Sequence, residues 1–238
     1  MTPLHIGIVG CSAEGAALCY RTICAEGATL LGPHAHPEVS IHTPSFARYC
    51  EHLERNDWLG VGELMLESAN RLARIGCGFL ICPDNTIHQA LPLIEMRLPL
   101  PWLHIADVVA DEASRRGFRR LGLTGTRWLV ASDVYPDRLT QHRIAFERPS
   151  AEARDKINRI IMDELVYGVV KSASVAFFQR VLEEMKGRGC DAVVLGCTEI
   201  PLIIDDSNSA LPTLDSTRLL ARAALRHACE PSLPTIAR

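Results

Sequence analysis

Cys197 and Asp84 are the two side chains whose type and setting best suit proton chemistry. Cys197 follows an apolar run closed by Gly196 and precedes Thr198 and Glu199, in the segment GCTEIP. A thiol placed after a strand and at a helix N-terminus would have its pKa lowered, which favours the nucleophilic and basic thiolate. The competing reading is a buried core cysteine, a common role for this residue. Asp84 lies in the segment CPDNTIH at residues 82–88. Its competing reading is a helix N-cap, since Asp followed by Asn85 and Thr86 is a common start signal. Two matching halves presenting one protonatable group each could remove a proton from one face of a carbon and return it to the other.

The elements that must hold these residues alternate between strand and helix. Short apolar runs at His5–Val9, Val39–His42, Gly78–Cys82 and Trp102–Ile105 read as strands, with helices over Glu14–Ala28 and Trp58–Ile75. Val61, Met65, Ala69 and Leu72 fall on one face of the latter, the 3.6-residue period of an amphipathic helix. The pattern then starts again. Strands are expected at Arg120–Thr124, Asp191–Gly196 and Pro212–Leu214, with helices over Glu152–Tyr167, Ser174–Lys186 and Ser216–Cys229. This alternation predicts an α/β fold with parallel sheets, in two similar lobes that divide near residue 108. The expected first lobe is 1–107, completed by 212–238, and the second is 108–211. In parallel sheets ligands bind past the carboxyl ends of strands. That directs attention to GCSAEG at 10–15, CPDNTIH, GTRW at 125–128 and GCTEIP.

Composition removes several classes of function. The 238 residues carry a net charge of −3 and are 47% hydrophobic. That is enough apolar surface to offset chain ordering, and it leaves no basic footprint for nucleic acid or an anionic membrane. No stretch has the ~18 consecutive apolar residues of a membrane span. The start MTPLHIGIVG lacks the basic region and cleavage site of a secretory leader, so a cytoplasmic protein is expected. Nine cysteines, an odd number, argue against a disulfide framework. Cys24, Cys50, Cys77 and Cys190 read as buried small hydrophobes. There is no CxxC or HExxH spacing for a metal, no GxGxxG and no P-loop, so no nucleotide or nicotinamide cofactor is expected.

Taken together, CPDNTIH and GCTEIPLI resemble the aspartate/glutamate racemase superfamily. The likeness extends through the opening IGIVG with Glu14, LPLPWLHIAD, LTGTRW, KINRIIMDEL and LPTLDST. The resemblance implies an α/β fold of two Rossmann-like lobes with an active-site cleft between them, and cofactor-independent Cα proton transfer on a small acidic substrate, without metal or pyridoxal phosphate, in a homodimer. It places the second catalytic cysteine on Cys197. The first catalytic cysteine falls on position 84, where this chain has aspartate; Cys82 stands two residues too early and points into the core by the strand reading.

By the same resemblance, Asn85, Thr86 and Thr198 hold the substrate α-carboxylate, with Ser12 and Thr126 as further substrate-binding candidates. Lys156 would pair with a distal carboxylate, and Arg48 is a looser candidate for that role. An ordinary Asp near ~3.9 is a weak base toward a Cα–H, whereas a thiol near ~8.5 is better placed. Three functions therefore stay open. The first is an acidic amino-acid racemase using Asp84 and Cys197. The second is a one-thiol lyase or decarboxylase of a small dicarboxylate. The third is a non-catalytic binder of small acids.

Overall fold

The computed structural model describes residues 2–230 and divides into two compact units. One comprises the chain up to Val108 together with the residues from Thr217 onward; the other is Val109–Ser216.

The first unit is built on a four-stranded parallel sheet in the order β2-β1-β3-β4. Its strands are β1 (Ile6–Val9), β2 (Val39–His42), β3 (Phe79–Ile81) and β4 (Trp102–Leu103). β1 and β3 are buried along their whole length, which is why they read as continuous apolar runs rather than alternating ones. Helices α1 (Ala13–Leu31), α2 (Phe46–Glu54), α3 (Trp58–Arg74) and the short α4 (Leu91–Ile94) connect them. The expected apolar face of α3 is buried: Val61, Met65 and Ala69 are fully inaccessible and Leu72 nearly so.

The second unit repeats the plan in the order β6-β5-β7-β8, again all parallel. Its strands are β5 (Arg120–Thr124), β6 (Ala145–Glu147), β7 (Ala192–Leu195) and β8 (Thr213–Asp215). Its helices are α6 (Arg127–Ala131), α7 (Val134–Gln141), α8 (Ala151–Asp163) and α9 (Ser172–Gly187), with most of α5 (Ile105–Arg115); α10 (Ser216–Cys229) follows β8 and belongs, beyond Ser216, to the first unit. The division between units falls inside α5 and after the first residue of α10. Ile157, Ile161, Phe178, Leu182 and Val193 form much of the core beside β7.

Several details differ from the sequence expectation. Residues 213–215, expected to complete the first lobe, pair as β8 with β7 of the second sheet, because Val193–Leu195 offer a fully buried edge for them. The β6 strand was not expected; Ala145–Glu147 is short and half exposed, so it carries no clear apolar period. The helix read over Glu152–Tyr167 stops at Asp163, and a separate turn at Leu165–Tyr167 ends on Gly168 in the left-handed region. Cys77 and Cys190 are buried as expected, but Cys24 and Cys50 are only partly so.

Candidate functional site

In the first unit the candidate residues gather past the ends of β1 and β3. Ile8 pairs with Ile81, so Cys11 and Asp84 each lie three residues beyond the same ladder position. Ser12 caps α1, its hydroxyl accepting from the Gly15 N–H at 3.2 Å. Asp84 stands in the loop before the 3-10 turn Thr86–Ala90. Its Oδ1 accepts from the N–H of Thr86 at 3.0 Å and of Ile87 at 3.4 Å. Asp84 therefore does make the local cap-like contacts that its sequence setting suggested. Asn85 and Thr86 beside it are buried.

Thiols cluster behind this carboxylate. The Cys11 thiol hydrogen-bonds the Asp84 side chain, and it is pushed well above its ordinary pKa by burial first, then by the Asp84 charge. Cys82 is fully buried, as its strand reading required, with its thiol directed at the Asp84 carbonyl at 3.7 Å. Burial and the Asp84 charge push that thiol up as well. Tyr49 of α2 is completely inaccessible, and burial first, then its neighbours Cys11, Cys82 and Asp84, push its hydroxyl above the ordinary tyrosine range; that hydroxyl has no hydrogen-bond partner among the described residues.

The Asp84 backbone is fixed by a residue the sequence reading quoted only as part of a motif. His88 is buried, and its Nδ1 lies 2.7 Å from the Asp84 carbonyl. The Trp102 indole N–H donates to Nε2 of the same ring at 3.3 Å. Indole nitrogen can only donate, so Nε2 accepts and Nδ1 carries the proton that it gives to Asp84. The signal was the Asn-Thr-x-His spacing combined with a tryptophan on the neighbouring strand.

In the second unit the candidates lie past β5 and β7. Thr126 caps α6 through its hydroxyl, which accepts from the Leu129 N–H at 3.2 Å. Cys197 lies two residues past β7 and Thr198 follows it; both are buried. Two glycines permit this packing. A Cβ on Gly196 would come within 2.5 Å of the Thr124 carbonyl oxygen, and one on Gly125, with φ +151°, within 3.1 Å of the Gly196 carbonyl oxygen.

The expectation that Cys197 starts a helix is corrected here. A turn at 198–199 and a 3-10 turn of three residues, Ile200–Leu202, follow it, so Cys197 does not stand at an α-helix N-terminus. A different partner is present: the Cys197 thiol donates to Glu199 Oε2 at 2.9 Å, with Glu199 3% exposed. Sequence reasoning did not assign Glu199; the Cys-x-Glu spacing within a sharp turn was the available signal.

The two candidates for a distal carboxylate sit differently. Lys156 is exposed on α8, with Nζ 4.2 Å from the Phe177 ring centroid. Arg48 is about half exposed and pairs with Glu67 at 3.2 Å. Among the described residues no group of His, Cys, Asp or Glu is arranged to hold a metal ion, and no helix is long and apolar enough to cross a membrane.

Comparison with known proteins places these features in one family. A family model described as Asp/Glu/Hydantoin racemase matches residues 7–224. A chain from Yersinia pestis assigned to the Asp/Glu racemases superposes with a TM-score of 0.87 at 29% identity, covering 97% of this chain and 100% of that one. An aspartate racemase homologue from Pyrococcus horikoshii gives a TM-score of 0.81 at 27% identity, covering 95% and 99%. The broad-specificity amino-acid racemase RacX of Bacillus subtilis is 22% identical over 68% of this chain and 69% of its own. The chain spans about half to two thirds of the length of the curated relatives it matches.

Proposed function

This chain belongs to the Asp/Glu/Hydantoin racemase family, and on that premise we propose that it racemises an acidic amino acid without a cofactor, moving the Cα proton between Asp84 and Cys197. One observation carries the assignment. The two units repeat the same parallel strand order, and Asp84 and Cys197 follow the strands β3 and β7 that hold the same place in it. Inversion at carbon needs one group to take a proton from one face and another to deliver a proton to the other face.

In this reading Asn85, Thr86 and Thr198, with Ser12 and Thr126, supply hydrogen bonds to the substrate α-carboxylate. Those bonds strengthen as negative charge moves onto it while the Cα–H bond breaks. Lys156 selects a second, distal carboxylate by a charge-assisted contact. Arg48 is the weaker candidate, since its guanidinium already pairs with Glu67. A cytoplasmic homodimer belongs to the same proposal.

The hydrogen bonds from Thr86 and Ile87 to Asp84 Oδ1 favour a second reading. Backbone donors on a carboxylate stabilise its ionised form, which makes it a poorer base. A one-thiol lyase or decarboxylase relying on Cys197 would use Asp84 only as a cap. Incubating the protein with single enantiomers of aspartate and glutamate, and following optical activity, tests the choice. Racemisation of either acid supports the first reading. Optical stability of both, with decarboxylation of a small dicarboxylate, supports the second.

A further inference from the structure

We propose that Tyr49 is a positioning residue for Asp84: when Asp84 holds the substrate proton, its O–H donates to the buried Tyr49 hydroxyl oxygen, and that bond favours proton uptake by the carboxylate. This inference rests on the racemase reading above and adds a residue to it.

Tyr49 and Leu53, four residues apart, are the buried residues of α2 and share its inward face. The Tyr49 side chain is fully inaccessible, and its hydroxyl has no hydrogen-bond partner among the described residues. A buried hydroxyl left in that state is a net cost to the fold, and few native structures keep one without a use. Its surroundings point to the use. Cys11, Cys82 and Asp84 are its electrostatic neighbours, and Cys50, the next residue on α2, also feels the Asp84 charge. The titratable groups facing Asp84 thus include Cys11 from the loop after β1, Cys82 from its own strand end, and Tyr49 and Cys50 from α2. Arg48 is the charged neighbour of Tyr49 on that helix, and His88 holds the Asp84 carbonyl.

The ionised carboxylate has no need of the phenol. The N–H groups of Thr86 and Ile87 and the Cys11 thiol donate to it. Charge-assisted bonds are about twice as strong as neutral ones, so these donors hold the anion in its cap-like pose. Protonation reverses the preference. The carboxylate takes the Cα proton while the C–H electron pair stays on the substrate, and the neutral acid then carries an O–H that N–H donors cannot accept. The Tyr49 oxygen has lone pairs to accept it. Tyrosine keeps its own proton throughout, because burial holds that hydroxyl above the ordinary tyrosine range. A hydrogen bond made only by the neutral form raises a carboxyl pKa, and here it offsets the opposite effect of the two backbone donors. Asp84 gains basicity at the step that needs it. Once the proton returns to carbon, the carboxylate goes back to its cap-like pose.

Thermal unfolding of the full chain between about pH 3.5 and 8, a range that brackets a carboxyl raised from ~3.9, tests the pairing. Wild type, Tyr49→Phe, Asp84→Asn and the double variant are compared. Tyr49→Phe keeps the ring and removes the hydroxyl. Above the Asp84 pKa it removes an unpartnered group, so the variant should melt above wild type. Below that pKa it removes a hydrogen bond, so the variant should melt below wild type, and the two curves should cross. In the Asp84→Asn background the amide offers a donor at every pH, so Tyr49→Phe should lower the midpoint throughout, with no crossing. In the reaction, the acid limb of kcat/KM for aspartate or glutamate should move down by about half to one pH unit in Tyr49→Phe, the worth of one neutral hydrogen bond. A weaker base should leave kcat about threefold lower and KM within about twofold.

A midpoint difference of one sign across the whole range, or a crossing that persists in the Asp84→Asn background, would overturn the proposal. A crossing with an unmoved acid limb in an active enzyme would overturn it as well, since the bond would not then act on the base. A crossing in a protein that racemises no acidic amino acid would sink the racemase reading and leave the Tyr49–Asp84 pair standing.

Discussion

The Cys11 thiol donates a hydrogen bond to the Asp84 carboxylate, joining the loops that leave the adjacent strands β1 and β3. The chain therefore has a thiol against the carboxylate at the position where its family resemblance calls for a cysteine. With the two backbone N–H groups on Oδ1, Cys11 orients the group proposed to carry the proton. Cys11→Ala should slow Cα exchange about tenfold or more, the worth of one hydrogen bond to a charged group. Cys11→Ser keeps a donor and should retain most of the rate. Equal losses in the two variants would show that the hydrogen bond is not what matters at this position.

Gly196→Ala should be destabilising and should impair Cys197. The added Cβ would meet the Thr124 carbonyl oxygen at 2.5 Å and Leu129 Cδ2 at 2.6 Å, so β7 and β5 must part. Overpacking of this kind costs about 1–3 kcal/mol. Urea unfolding measures the loss, and a midpoint equal to wild type would show that the strand ends have more freedom than these distances imply.

Lys156→Met tests substrate selection. Its position on α8 leaves the ammonium exposed over Phe177. If it pairs with a distal carboxylate, the variant should bind aspartate or glutamate about 1.5–3 kcal/mol more weakly, and alanine much less so. Calorimetric titration with the three amino acids makes the comparison. An equal loss for all three would assign Lys156 to packing against Phe177 instead.

Acid should weaken the fold partly through Glu112. Hydrogen bonds from Arg115, then Arg116, hold its carboxyl down at about 2, below the usual ~4.3 of an unfolded chain. A depressed native pKa means the stabilisation is full above the unfolded value and is lost as pH falls through the native one. Thermal midpoints should therefore drop between about pH 4.5 and 2, and Glu112→Gln should flatten that part of the curve. An unchanged slope in the variant would mean that solvent screens the pair, as the largely exposed Arg115 could allow.

The sequence made the architecture readable because the inner strands are buried on both faces. Ile6–Val9, Phe79–Ile81 and Ala192–Leu195 leave unbroken apolar runs, and the loops after them carry the candidate residues. Ser12 and Thr126, read from the sequence as substrate-binding candidates, cap α1 and α6. What it could not show were contacts made by folding back. Glu199 meets Cys197 only because a tight turn follows β7, and Cys11 meets Asp84 only because β1 and β3 are neighbours in register. His88 needs Trp102 from the next strand to fix its tautomer. The expected helix at Cys197 failed for a local reason. Pro201 has no N–H to donate to the Cys197 carbonyl, the first bond of a helix starting there, and a 3-10 turn of three residues forms instead.

Solvent deuterium incorporation at Cα, measured separately on L- and D-aspartate and on L- and D-glutamate, tests the two-residue proton transfer most directly. The account predicts exchange and inversion in wild type and, in folded Cys197→Ala, loss of inversion with exchange kept only on the enantiomer whose Cα–H meets Asp84. In Asp84→Asn it predicts loss of inversion, with exchange kept only on the enantiomer whose Cα–H meets the thiol; an amide cannot carry the proton, although it caps a helix as well as the acid does. Undiminished exchange on both enantiomers in Cys197→Ala, or full inversion in Asp84→Asn, would contradict it.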